Sequence, residues 1–454
     1  MNPDSSLRSR IARGLSANAF GQLVTLVSQF VGLPVFLNYW GIQLYGEWLV
    51  LSAIPAYFAL SDVGFSSVAA NDMTILMASN DRAGAQNVFQ SVWLLISAFS
   101  LVSLTLVAYF VWLTPIHLWM NFQLLSHDQA STILFILACY VLVGIQGGLI
   151  QAGFRCIGKF ALGLWYANLL RLFEFSAVIL TVFLGGSPVQ AAKTYLLARC
   201  FGTLIIAVLM LREIRWLKFG FGDANYSTVR RLTKPAIAFI AFPLGNALSL
   251  EGFILVIGNI LGPIAVVTFS SLRTLTRSIL QIIGMINSTV WPELSLAFGT
   301  NNLELARTLH RRSCQVSLWL TMLTAIIMFF AGDWLLHLWT HGKVVMNYSI
   351  FLMLLVVVVA NSIWLTSSVV LVSINRHIKM ALVYLIATAL SLVLAYIFSE
   401  RYGLVGAAGG LLIIDALMVI YTVPSSIRIL NDSLSAFVKQ MLWPNFSGLF
   451  AYKN

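Results

Sequence analysis

Nine ionisable residues stand in stretches apolar enough to lie within a membrane. The bases are Arg171, Lys193, Arg199, Arg273 and Arg277; the acids are Asp62, Glu174, Glu251 and Asp415, with Glu47 near a helix end. A charge at the bilayer centre costs about 2.5 to 3.5 kcal/mol on insertion scales, so each of these groups needs a partner or a wet cavity. Buried bases suit an anionic ligand, and buried acids suit counterion or proton-carrying roles. Arg171 and Glu174, three residues apart, can pair on one helical face. Lys193 lies near a helix start, close enough to the surface to snorkel, while Arg199 lies deeper. Arg273 and Arg277 are four apart, hence about 6 Å apart along one face.

Other chemistries lack their residues. None of the six histidines forms a two-histidine helical metal motif. No glycine loop ends in a phosphate-cradling lysine, and no serine elbow occurs. The expectation is therefore a protein with no catalytic site, metal or cofactor. Cys139, Cys156, Cys200 and Cys314 have neither metal spacing nor the pattern of a disulfide framework, and read as small core residues.

The elements that must position these charges are transmembrane helices. Of 454 residues, 59% are hydrophobic and 9% charged, against roughly 25% charged in a soluble domain. Apolar runs of about 20 residues, each long enough to cross a hydrocarbon core of roughly 30 Å, recur along the whole chain. They begin near Ser16, Trp48, Gln90, Ala130, Ala161, Pro188, Pro235, Pro263, Ser313, Asn347, Ile378 and Gly403, which predicts an all-α integral membrane protein of twelve transmembrane helices. The first run is too long for a cleavable signal peptide and reads as a retained helix.

A net charge of +11 raises the possibility of nucleic-acid binding, but the basic residues sort by loop, as membrane topology requires, so no nucleic-acid partner is expected. Twenty lysines and arginines fall in loops on one side and only Lys343 and Arg401 on the other, which predicts cytoplasmic termini and an even helix count. The expected organisation is an N-terminal lobe over 1–211, a basic cytoplasmic linker over 212–234, a C-terminal lobe over 235–424 and a cytoplasmic tail over 425–454.

The two lobes also read as copies. His117-Leu118-Trp119 and His337-Leu338-Trp339, each expected in a longer periplasmic loop, are offset by 220. Gly41 and Gly262, Asn80 and Asn301, and Arg155 and Arg376 are each offset by 221. Six helices per copy keeps both the same way up, giving two six-helix lobes related by a parallel internal repeat. Two polar stripes with helical spacing are candidate cavity walls. One is Asn18, Gly21, Gln22, Thr25, Ser28, Gln29 and Gly32; the other is Ser270, Arg273, Thr274, Arg277, Gln281, Gly284 and Ser288. Glue between helices is the competing reading for such stripes.

At Gly41-Ile42-Gln43-Leu44-Tyr45-Gly46-Glu47-Trp48, then Ser61-Asp62-Val63-Gly64-Phe65 and Asn71-Asp72-Met73, the chain resembles bacterial O-antigen and polysaccharide flippases. These belong to the multidrug, oligosaccharidyl-lipid and polysaccharide exporter superfamily. The resemblance covers nearly the whole chain and implies translocation of undecaprenyl-diphosphate-linked oligosaccharide from the cytoplasmic to the periplasmic leaflet of a bacterial inner membrane. It further implies a cation-rich cavity, ion-gradient coupling, and membrane lipid and other polysaccharide-assembly proteins as partners. Arg273 and Arg277 are then the expected diphosphate ligands, with Arg199, Arg171 and Lys193 as further substrate-binding bases. Asp62, Glu174, Glu251 and Asp415 are the expected ion-coupling or counterion acids. The first-lobe equivalents of Arg273 and Arg277 are Ser52 and Ala56, so the cationic wall is one-sided. A drug or cation antiporter of the same superfamily would favour an acid-lined cavity. A polysaccharide polymerase or ligase would need a sizeable periplasmic loop.

Overall fold

The computed structural model describes residues 3–58, 64–114, 120, 122–374 and 376–443. Its described elements are helical: α1 (Pro3–Ala56), α2 (Phe65–Ala78), α3 (Arg82–Leu113), α4 (His127–Cys156), α5 (Phe160–Phe183), α6 (Pro188–Glu213), α7 (Tyr226–Ala247), a π turn (Leu248–Gly252), α8 (Phe253–Leu261), α9 (Pro263–Gly299), α10 (Leu303–Thr340), α11 (Tyr348–Ser367), α12 (Val369–Ser373), α13 (Ile378–Ile429) and α14 (Leu434–Leu442). Among the described residues, nine helical stretches are long and apolar enough to cross a membrane, so this is a multi-pass integral membrane protein.

Two of the nine are double length. Ser16–Ala56 has 41 residues and Ile378–Ile429 has 52, about 60 and 80 Å at 1.5 Å per residue. Each breaks at a glycine in a backbone region that L side chains avoid: Gly41 (φ 75°) and Gly403 (φ 59°). The second break coincides with the expected helix start near Gly403. The first falls seven residues before the expected start near Trp48, because a glycine ends a helix more sharply than a change in hydropathy does. Pro263–Gly299 is 37 residues long but is not among the nine, since Arg273, Arg277 and their hydroxyl-rich stripe dilute its apolar content.

The helix starts follow local chemistry. Asp81, Asn302, Asn347 and Ser433 each accept a backbone N–H of the first turn, and Ser126–Gln129 and Ser187–Gln190 form reciprocal capping boxes. The repeat offset is legible in these caps. Asp81 corresponds to Asn302 and Ser126 to Asn347, both at 221, and left-handed Asn80 and Asn301 and positive-φ Gly41 and Gly262 keep the same offset. His117–Trp119 lies outside the described residues. His337–Trp339 is not in a loop, because α10 continues through it to Thr340.

Two compact units are present: residues 1–247 with 262–264, and residues 248–261 with 265–454. In the first, Met73, Phe89, Leu149, Phe154 and Met210 are fully buried and join α2, α3, α4 and α6 in one core. The connection expected over 212–234 is ordered. α6 runs to Glu213, α7 starts at Tyr226, and three α3 side chains hold the segment between them. Gln86 exchanges two hydrogen bonds with the Lys218 backbone (2.9 and 3.0 Å), the Gln90 carbonyl accepts from Asp223 N (2.6 Å), and Ser91 Oγ accepts from Asn225 N (2.9 Å).

In the second unit the two passes of α13 approach so closely at Gly410 that a Cβ there would lie 2.7 Å from Ala395 Cβ. The segment expected as a tail from 425 onward is docked as far as it is described. α13 runs to Ile429, and Phe437 of α14 is buried against α10. Gln315 donates to the Gln440 and Trp443 carbonyls (2.7 Å each) and Trp319 to the Met441 carbonyl (3.2 Å), satisfying the carbonyls a helix C-terminus leaves open. Arg311 clasps Asp432 with two hydrogen bonds. That contact holds the Asp432 carboxyl below the usual carboxylate range.

Candidate functional site

Among the described residues, each unit buries a charged cluster that includes residues expected to form the site. In the first, Glu174 of α5, 1% exposed, meets Arg199 of α6 and Tyr140 of α4. Arg199 Nη2 donates to Glu174 Oε2 (2.8 Å) and to the Tyr140 hydroxyl (2.5 Å), Nε lies 2.7 Å from Oε1 as an ion contact, and the Tyr140 hydroxyl donates to Oε2 (3.1 Å). The guanidinium also sits 4.5 Å from the Tyr140 ring centroid. Gly144, one turn on from Tyr140, borders it: a Cβ there would make an ordinary van der Waals contact with the guanidinium at 3.7 Å.

The Arg171–Glu174 pairing that helical spacing allows is not the one made. Arg171 and Glu174 share a helix but not a bond, because the carboxylate turns inward to Arg199 while Arg171 stays exposed and reaches only Thr25 Oγ1 at 3.5 Å. Arg199 is thus half of a structural ion pair. Lys193 is exposed and makes no hydrogen bond or ion pair among the described residues.

The α1 stripe divides in two. Gly21 and Gly32 pack against Asn168 and Phe175 of α5, and Asn168 Nδ2 donates to the Ala17 carbonyl (2.9 Å), which is interhelical glue. Asn18, Gln22 and Gln29 remain exposed, with Arg171 beside Thr25. Glu47, buried completely, accepts the backbone N–H groups of Gln123, Leu124 and Leu125 (2.8 to 3.0 Å) and Gln43 Nε2 (3.0 Å), so it caps the segment leading into α4.

In the second unit, Asp415 of α13 is buried and accepts on Oδ1 from Asn361 Nδ2 and Trp364 Nε1 of α11, both at 2.7 Å. Three apart on one helix, these donors converge on one oxygen. Asp415 borders a polar cavity of about 30 Å³, room for about one water, with Ser249, Arg273, Arg277, Asn361 and Tyr384 also in its wall. Arg273, 7% exposed, donates to the Ser249 carbonyl (2.8 Å) and Oγ (3.1 Å), its guanidinium 5.8 and 5.9 Å from the rings of Phe253 and Phe269. Arg277, one turn on, is half-buried and makes no hydrogen bond or ion pair among the described residues. Glu251, in the π turn, lies within electrostatic reach of Arg273. The α9 stripe does not face water evenly: it runs from buried Arg273 to exposed Gly284 and Ser288.

Asp62 lies outside the described residues. Among the described ones, no group of three histidine, cysteine or acidic side chains could hold a metal ion. Sequence reasoning passed over Tyr140, Asn361, Trp364, Tyr384 and Ser249. Of these only Asn361 and Trp364 left a usable trace, two donors at helical spacing in an otherwise apolar run.

No family model matches the sequence, and no curated protein matches it. Solved structures do match, at low identity. An inward-facing multidrug resistance MATE family transporter of the MOP superfamily aligns with a TM-score of 0.72, 16% identity, 92% of this chain and 96% of that one. The lipid II flippase MurJ, in an inward closed conformation, aligns with a TM-score of 0.69, 15% identity, 93% of this chain and 90% of that one. An outward-facing MATE transporter gives 0.59, 16%, 95% and 96%. With polar clusters buried inside apolar helices and alignment over more than nine-tenths of its length, this chain is a membrane protein, helical throughout its described elements, whose fold is similar to that of these solved MATE and MurJ structures.

Proposed function

We propose that the protein is a flippase that moves undecaprenyl-diphosphate-linked oligosaccharide units from the cytoplasmic to the periplasmic leaflet of a bacterial inner membrane. It works by alternating access, coupled to an ion gradient, in O-antigen or exopolysaccharide assembly. One observation carries the choice of substrate class. Glu47, Glu174 and Asp415 are engaged by donors of the protein itself and Glu251 lies within electrostatic reach of Arg273, whereas Arg171, Lys193 and Arg277 have no carboxylate within 4 Å among the described residues. Unmatched cations at membrane depth suit an anionic headgroup, because guanidinium donates paired hydrogen bonds to phosphate oxygens. A cationic drug would need free acids.

Arg277 takes over the diphosphate role first assigned to both arginines, with Arg273 fixed on Ser249 behind it. The basic asymmetry between loops supports cytoplasmic termini. Counting the glycine-broken helices twice and adding Pro263–Gly299 supports twelve passes. Asp415 is the candidate for ion coupling. The test is translocation of a fluorescent lipid-linked sugar in proteoliposomes. Arg277→Gln should slow it at least about tenfold, and Arg277→Lys should recover only part of the rate. Normal transport by Arg277→Gln together with Arg171→Gln and Lys193→Gln, at equal insertion, overturns the reading, and uptake of a cationic dye instead would point to an antiporter.

A further inference from the structure

The connection that follows α6 is shaped more tightly than a tether needs to be. It leaves α6, a membrane-crossing helix, at Glu213 and reaches α7 at Tyr226. Its side chains divide by depth. Ile214 and Leu217 are buried in the core of the first unit, and the Phe219 ring packs against Trp93 and Phe89 of α3 at 4.6 and 5.3 Å. Between the first two anchors the chain turns, with Leu217 N donating to the Ile214 carbonyl (3.1 Å). The residues interleaved with these anchors, Arg215 and Lys218, are exposed.

Side chains of α3 fix the backbone a second time. Besides the bonds from Gln86, Gln90 and Ser91 already described, Gln90 Nε2 donates to the Lys218 carbonyl (3.2 Å). Asn87 Nδ2 donates to the Asp223 carbonyl (2.5 Å), and Asn87 Oδ1 accepts from Thr228 Oγ1 (2.7 Å). From Gln86 to Ser91 is about 7.5 Å of helix, so residues 218, 223, 225 and 228 are gathered along two turns of α3. Gly220, at φ 145°, brings the chain back so closely that a Cβ there would lie 3.3 Å from Gln90 Nε2.

This fixed segment carries bases without countercharges. Arg212, Arg215, Lys218 and Arg230 are exposed and make no ion pair among the described residues. Two nearby acids are engaged, Glu213 by Lys159 and Asp72 by Arg231 (2.6 Å), which leaves Asp223 as the segment's other acid. Phe221 and Tyr226 project outward as well. Bases and aromatic rings just past the end of a membrane-crossing helix match the headgroup zone of a bilayer, where phosphate meets hydrocarbon. Charge that only orients a chain acts during insertion and needs no fixed shape. Here the buried side chains of Gln86, Gln90 and Ser91 are committed to holding one.

We propose that Arg212, Arg215 and Lys218, flanked by Phe221 and Tyr226, form a preorganised site for the headgroup phosphate of an anionic phospholipid. The leaflet is the cytoplasmic one, which rests on the orientation proposed for the termini. The guanidinium groups donate paired hydrogen bonds to the phosphate oxygens, Lys218 adds a point charge, and the two rings sit at the boundary with the acyl chains.

Native mass spectrometry of the purified full-length protein in detergent, titrated with phosphatidylglycerol or with phosphatidylcholine, tests the site. Phosphatidylglycerol should bind more tightly. Replacing Arg212, Arg215 and Lys218 together by Gln should weaken it at least about tenfold. Arg428→Gln with Lys439→Gln, two exposed bases of the other unit, should leave it unchanged. Gln86→Ala keeps every charge but frees the Lys218 backbone, and should weaken binding about threefold through lost preorganisation. Asn87→Ala should do the same and carries this arm if Gln86→Ala fails to fold. Equal affinity for the two lipids, undiminished binding by the triple variant, or an equal loss from the pair in the other unit overturns the site. Full affinity in both alanine variants also overturns it, because unshaped charge would then suffice. No lipid-linked sugar is used, so the outcome is independent of the flippase reading.

Discussion

The two units share a backbone grammar and differ in how they treat buried charge. Asn80 and Asn301 both adopt left-handed φ, of 60° and 54°, and Asp81 and Asn302 cap the helices that follow. Yet the first unit neutralises its acid with a full countercharge, Arg199 on Glu174. The second gives Asp415 two neutral donors and leaves Arg277 without an ion pair among the described residues. Turn geometry matches at these corresponding positions because few residues tolerate positive φ. Charge placement has no such constraint, so the first unit can hold its acid in a full ion pair while the second holds Asp415 with neutral donors.

That contrast is sharpest in Arg199→Gln. Removing one member of a buried pair strands the other, so the first unit should lose about 3 to 5 kcal/mol, measured as earlier denaturant unfolding in detergent. Adding Glu174→Gln should return most of it. Asp415→Asn keeps the shape and an amide oxygen that can still accept from Asn361 and Trp364, and should cost under about 1.5 kcal/mol. Comparable losses from Arg199→Gln and Asp415→Asn would erase the distinction between the units.

The shared grammar predicts a smaller, matched effect. Asn80→Ala and Asn301→Ala each force a side chain without local hydrogen bonding into left-handed backbone, at about 1 kcal/mol per site. The two glycine variants should be close to neutral. A difference of more than about 1 kcal/mol between the two alanine variants would show that tertiary packing, not turn geometry, sets the cost at these two positions.

The smallest effect belongs to the docked α14 segment. Asp432 titrates below the usual carboxylate range because Arg311 stabilises its charged form, so its contribution is complete at neutral pH. The contribution is lost only as pH falls through that depressed value, beneath the ordinary aspartate value of about 3.9. Protection of residues 434–442 against hydrogen exchange, relative to the intrinsic rate at each pH, should therefore stay high at pH 5 and fall in more acidic solution. Asp432→Asn should show the lower protection already at neutral pH, and identical profiles for the two proteins would remove Asp432 from the docking of α14.

Much of this protein is written locally. Long apolar runs make membrane-crossing helices because an unsatisfied peptide group in hydrocarbon is too costly for any open alternative. Gly403, Asn80, Asn301 and the capping residues mark boundaries because their conformational preferences act within four or five residues. The sequence also shows that charges must be compensated at membrane depth, but not by what. Helical spacing puts Arg171 within reach of Glu174, and only the packing of α4, α5 and α6 gives that carboxylate to Arg199 and Tyr140 instead. Glu47 looked like a helix-end charge until its distance of 76 to 78 residues from Gln123, Leu124 and Leu125 was closed by the fold. Spacing says which residues share a face. Only the neighbouring helix decides whether that face meets a partner, a water or an open cavity, because side-chain bonds across helices depend on register and rotation that no single segment encodes.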